Sequence, residues 1–190
     1  HTYRGNIFHN ARNSDGYNSA GIDESNTYQD EIIDIEDNIF DSISGNCQGR
    51  CMYISTQNSA GLTLRNNTIQ NLPAGGFYIK LNFAIKATNF LIDSCILINN
   101  SVNDYWYNTL NVDPQIWLEN PLNSYISEEI FIHFNNCYFE NNYCPKRGGA
   151  LNYGKSKHTC NTQLEFYQCK FIGNRAGQPG GALSIQSYQS

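Results

Sequence analysis

Phe134-Asn135-Asn136-Cys137-Tyr138-Phe139-Glu140-Asn141-Asn142 aligns without a gap on Phe166-Tyr167-Gln168-Cys169-Lys170-Phe171-Ile172-Gly173-Asn174. Three earlier stretches fit the same frame: Ile35 to Ile43, Leu64 to Leu72 and Ile92 to Asn100. The first position is always apolar (Ile35, Leu64, Ile92, Phe134, Phe166). The fourth is Asn38, Asn67, Cys95, Cys137 or Cys169, and the sixth is Phe40, Ile69, Leu97, Phe139 or Phe171. The ninth begins as Ile43 and Leu72 and becomes Asn100, Asn142 and Asn174. The units start at intervals of 29, 28, 42 and 32 residues. Arg4-Gly5-Asn6-Ile7-Phe8 reads as the tail of a further unit.

A Gly-rich turn and a second short strand follow most units. Gly148-Gly149-Ala150-Leu151 and Gly180-Gly181-Ala182-Leu183 show this most clearly, and the runs from Gly75 to Ile79 and from Gly49 to Ile54 are looser versions. Strands this short cannot bury an apolar face alone; stacked copies can, each pairing in parallel with its counterpart about 4.8 Å away. The expected fold is therefore all-β, a right-handed parallel β-helix of about five to six coils. Like residues would lie over like, giving apolar ladders at the first and sixth positions. An Asn ladder is expected at the ninth, because an inward amide left unsatisfied costs about 1–3 kcal/mol. Leucine-rich repeats have shorter periods and propeller blades longer ones.

The composition agrees. Charged residues are only 15% and hydrophobic residues 40%, which is not the balance of a disordered chain. The net charge of −5 leaves no basic surface for nucleic acid. No apolar run is long enough to span a bilayer, so membrane attachment is expected only through segments outside this chain. Residues 1–190 are expected to be one β-helical segment of a longer protein, with an inserted aromatic-rich loop at 103–127.

The last two units carry a family likeness. Phe139, Asn142 and the run from Gly148 to Leu151 share their spacing with Phe171, Asn174 and the run from Gly180 to Leu183. This resembles the FxxN…GGA[ILV] repeat of polymorphic outer membrane proteins, which occurs in bacterial autotransporter passengers and in surface proteins of parasitic protists. The match covers about a third of the chain and weakens toward the N-terminus, where Leu97 and Ile69 replace Phe and Leu72 replaces Asn. The resemblance implies a pectate-lyase-like, surface-exposed β-helix with adhesive or immune-exposed roles.

Several residues could carry function. The loop aromatics Tyr105, Trp106, Tyr107 and Trp117 suit sugar stacking or a protein contact, although they could equally pack the loop onto the helix. The second position of each unit should point outward and set Arg65 between Glu36 and Asp93. That is either a cross-strand charge ladder or an Arg-plus-acid site of the β-helical polysaccharide lyase type. Asp30, Glu31, Asp34, Glu36 and Asp37 read as a solvated strand face, in preference to a calcium site.

Seven Cys leave at least one outside any pairing. Cys95, Cys137 and Cys169 should form an inward column of thiols packed as small hydrophobes. Cys47 with Cys51, and Cys144 with Cys160, are the disulfide candidates. Cys144, His158 and Cys160 offer too few ligands for a metal to be assigned. Asn66 and Asn99 head sequons and are glycosylation candidates in a secreted eukaryotic protein.

No catalytic residue and no cofactor are assigned. The expected function is adhesion or surface interaction with a protein or glycan ligand, outside the cell or at its surface. The alternatives are a polysaccharide lyase or glycoside hydrolase, and a self-assembling coat or filament subunit.

Overall fold

The computed structural model describes residues 1–13, 21–27, 32–45, 51–57, 61–73, 77–83, 88–101, 110–116, 129–154 and 161–186. They form a parallel β-helix with three six-stranded sheets. The first sheet contains Thr2–Arg4, Ile32–Glu36, Gly61–Arg65, Thr88–Asp93, Glu129–Asn135 and Asn161–Tyr167. The second contains Ile7–His9, Ile39–Asp41, Thr68–Gln70, Ile96–Ile98, Tyr138–Glu140 and Lys170–Ile172. The third contains Ile22–Thr27, Met52–Gln57, Phe77–Phe83, Leu110–Ile116, Leu151–Gly154 and Leu183–Gln186. Each strand pairs in parallel with its copy one coil away, and the repeat columns stay in register: Ile35 faces Leu64, Leu64 faces Ile92, Ile92 faces Phe134 and Phe134 faces Phe166.

Two corners flank the second sheet, and they explain three of the four Asn-Asn pairs in the sequence. The third position takes a left-handed backbone in every coil, at Gly5, Asp37, Asn66, Ser94, Asn136 and Gln168, with φ between 52° and 69°. The eighth position does the same at Asn10, Ser42, Asn71, Asn99, Asn141 and Gly173. Gly avoids the Cβ clash there, and Asn and Asp tolerate it better than most residues. In Asn66-Asn67, Asn99-Asn100 and Asn141-Asn142, the first residue makes the corner and the second turns inward, fully buried.

The core fills with the first and sixth columns. Phe8 stacks on Phe40 with centroids 4.8 Å apart, Phe134 on Phe166 at 4.9 Å, and Phe139 on Phe171 at 4.7 Å. Each ring lies about one strand spacing from its copy, as in-register parallel pairing requires.

In the Gly148-Gly149 turn both glycines meet backbone, so no larger residue fits. A Cβ on Gly149 would lie 2.2 Å from the carbonyl oxygen of Arg175 and 2.5 Å from that of Gly181. The amide of Gly149 donates to the Gly181 carbonyl at 2.9 Å, so the two turns are bonded directly to one another.

Part of the 103–127 stretch expected to be an inserted loop is strand. Leu110–Ile116 pairs along its whole length with Phe77–Phe83 and completes the third sheet. Pro114 lies within it and has no N–H to give to a ladder. On the other side, the pairing with Leu151–Gly154 takes only Leu110 to Val112, so Pro114 falls beyond it.

Candidate functional site

The interior carries two ladders of polar side chains with one bonding rule. At the ninth position, Asn142 Nδ2 donates to the carbonyl of Leu97 at 2.9 Å, and Asn174 Nδ2 to that of Phe139 at 2.9 Å. Asn100 Nδ2 donates to the carbonyl of Ile69 at 3.0 Å. Each side-chain oxygen accepts from the neighbouring coil: Asn142 Oδ1 takes the Asn100 backbone amide at 3.2 Å and its side-chain amide at 3.1 Å. Asn100, Asn142 and the sixth-column carbonyls thus satisfy one another in a column that water does not reach.

The fourth position repeats the rule with a change of atom. Asn38 Nδ2 donates to the carbonyl of Tyr3 at 2.9 Å, and Asn67 Nδ2 to that of Ile35 at 2.7 Å. From there thiols take over. Cys95 Sγ shares its one proton between the carbonyls of Leu64 and Asp93, both at 3.5 Å, Cys137 Sγ between those of Ile92 and Asn135, both at 3.3 Å, and Cys169 Sγ reaches Phe134 at 3.2 Å and Tyr167 at 3.5 Å. Sequence reasoning identified the inward thiol column but treated it as small hydrophobes; these thiols are hydrogen-bond donors to the same carbonyls the amides serve. Burial pushes Cys95 up to about 11, and burial with the neighbouring thiols raises Cys137 further. Burial also raises Cys169. A thiol held protonated is a poor nucleophile.

No disulfide is present among the described residues. Cys51 and Cys144 are thiols, 0% and 1% exposed, and Cys47 and Cys160 lie outside the described residues. Burial raises the Cys51 thiol strongly and that of Cys144 to a lesser degree. Cys144 sits in the short strand Tyr143–Cys144, paired with Arg175–Ala176, and its sulfur accepts the Lys146 amide at 3.4 Å.

On the outside, the second column is the charge row anticipated from the repeat. Glu36 pairs with Arg4 and, at 3.5 Å, with Arg65, which lies 3.7 Å from Asp93. The repeat frame did not assign Arg4 to this row, because only the tail of its unit was recognised. Further outward pairs are His133 with Glu165 at 3.0 Å and His9 with Asp41 at 3.0 Å. The side-chain bond from Asn71 holds the Asp41 carboxyl below the usual aspartate value, helped by Ser42 and His9. No group of three or more His, Cys, Asp or Glu side chains is placed to hold a metal among the described residues. Asp34, Glu36 and Asp37 of the acidic run are described, whereas Asp30 and Glu31 are not. Tyr105, Trp106, Tyr107, Trp117 and His158 also lie outside the described residues.

The outward face of the second sheet differs. The fifth column includes Ile7, Ile39 and Ile96, which are 71%, 38% and 38% exposed. The sequon residues Asn66 and Asn99 stand exposed at its two corners.

Comparison with protein-family models, curated proteins and solved structures gives no match. The class the coordinates define is a parallel β-solenoid with interior amide and thiol ladders.

Proposed function

We propose that the chain is a non-catalytic β-helix that acts outside the cell or at its surface, engaging a protein or glycan ligand with the side of its coil stack. The observation that best supports this is the row Arg4, Glu36, Arg65 and Asp93. Pairing across coils holds these charges in fixed order on the outward face of the first sheet. Ile32 and Tyr167 lie on the same face, 54% and 62% exposed. Ordered charges next to exposed apolar and aromatic groups favour oriented encounter and docking. A polysaccharide lyase would need Arg65 to reach toward substrate, whereas here it lies along its own sheet against two carboxylates. The resemblance to surface-exposed passengers points the same way.

The test is binding of the purified chain to intact cells, arrayed glycans and extracellular matrix proteins. The expected result is salt-sensitive binding that falls about tenfold in Arg65→Glu, with the circular dichroism unchanged. Binding no better than that of an unrelated solenoid would overturn the reading. Release of unsaturated product from an acidic polysaccharide would replace it with the lyase, and ligand-free polymerisation with the coat subunit.

A further inference from the structure

We propose that Asn66 and Asn99 are N-glycosylation sites and that their glycans cover the exposed isoleucines on the second sheet. The inference rests on the extracellular reading above and adds to it what the fold does with each sequon.

In Asn66-Asn67-Thr68 and Asn99-Asn100-Ser101 the fold divides the asparagine pair. Asn67 and Asn100 are fully buried ladder residues, so neither can carry a sugar in the folded protein. Asn66 and Asn99 are corner residues, each with φ of 54°, and both are exposed. The same two-residue turn therefore places every ladder amide inside and every sequon amide outside. Asn66 Nδ2 donates to Asp37 Oδ1 at 3.1 Å. A carboxamide nitrogen has two hydrogens, so one can be replaced by a sugar while the other keeps that bond.

The two positions bracket one patch. Asn66 stands just before Thr68–Gln70, and Asn99 just after Ile96–Ile98. These strands are neighbours, with Thr68 paired to Ile96 on one side and to Ile39 on the other. Ile39 and Ile96 point outward and are 38% exposed. Exposed apolar side chains on a sheet favour association, and a bulky hydrophilic glycan at each corner would cover them.

The donor class is an oligosaccharide linked through pyrophosphate to a lipid. The bond from sugar C1 to the pyrophosphate oxygen breaks, and the lipid pyrophosphate leaves with its electron pair. C1 bonds to Nδ2, which loses one proton. Transfer to Asn66 and Asn99 precedes folding, while both sequons are extended and accessible, and the coil then closes with the sugars outside.

The test directs the full chain into the secretory pathway of a eukaryotic cell, so that failure of the sites is read separately from where the protein normally resides. The secreted protein is treated with a deglycosylating amidase, which converts a glycosylated Asn to Asp, and mapped by peptide mass. Conversion is expected at both Asn66 and Asn99. It should be lost one site at a time in Thr68→Ala and Ser101→Ala, which leave both asparagines in place. The doubly unglycosylated protein should keep its circular dichroism and bind an apolar dye at least twofold more. Ile39→Thr with Ile96→Thr should reverse that gain. Failure to modify either site overturns the proposal, and modification of both without a change in dye binding overturns the covering role.

Discussion

Asn67 and Cys95 occupy the same position of successive coils and make the same bond. Asn67 Nδ2 donates to Ile35 at 2.7 Å, and Cys95 Sγ donates to Leu64 at 3.5 Å. The column can therefore change chemistry without changing its geometry, because what the fold requires is a small side chain with a donor aimed at the first-column carbonyl.

Replacing Cys95 with Asn should extend the amide ladder by one coil. We expect Cys95→Asn to stay within about 1 kcal/mol of the parent in urea unfolding. Cys95→Ala should lose about 1–3 kcal/mol, since it removes a buried side-chain hydrogen bond and the sulfur that fills the column. Equal losses in the two variants would show that sulfur acts through packing alone.

Asn142 is bonded on both sides and should be among the most sensitive positions. Truncation in Asn142→Ala removes the side-chain donor to Leu97 and orphans the buried Asn100 amide, and should cost about 2–5 kcal/mol. Asn142→Asp keeps the shape but loses the donor and buries a charge, and should be no better. A midpoint shift under half that size would mean that water replaces the ladder.

The buried thiols set an alkaline limit. Their folded-state pKa values lie above the ordinary thiol value of 9.0, so the folded protein holds protons that the unfolded chain releases. Their contribution is complete below pH 9.0 and falls as pH rises from there through about 11 for Cys95. The melting temperature should decline across this window, and Cys95→Ser should flatten the decline. An unchanged slope in the serine variant would contradict the assignment.

Two glycines should behave differently. Gly5 has φ of 69° with nothing near a Cβ, so Gly5→Ala should cost about 1–2 kcal/mol, the left-handed penalty alone. Gly149→Ala forces a Cβ into two backbone oxygens and should cost at least twice as much, and hydrogen exchange should rise at Ala150 and Leu151. Comparable losses would mean that the Gly-Gly turn has room to move.

The repeat frame was legible because in-register stacking converts a column of the alignment into a column of the core. Ile92 over Leu64 and Phe139 under Phe171 follow directly from spacing. The third sheet was harder. Gly21-Ile22 begins its first strand, where a Cβ on Gly21 would lie 2.3 Å from the Cys51 carbonyl oxygen, but nothing in the local sequence repeats the Gly-Gly-Ala pattern. Leu110–Ile116 was hidden by Pro114, a residue that argues against a strand wherever both edges are bonded. The thiol donors were missed because a buried cysteine reads as a small hydrophobe until the carbonyl opposite it is known. The charge row was anticipated because Glu36, Arg65 and Asp93 hold the outward second position of successive units, and in-register stacking sets them side by side across the sheet. The loop aromatics have no repeat to constrain them, and the sequence offered only their composition.

The vertical stacking of equivalent side chains is tested most directly by nuclear Overhauser contacts from the methyl groups of Ile92. The account predicts strong contacts to the methyls of Leu64 and to the ring of Phe134, residues far apart in the chain but adjacent in the column. Contacts from Ile92 to neither residue, or Leu64 and Phe134 on opposite sides of the protein, would contradict it.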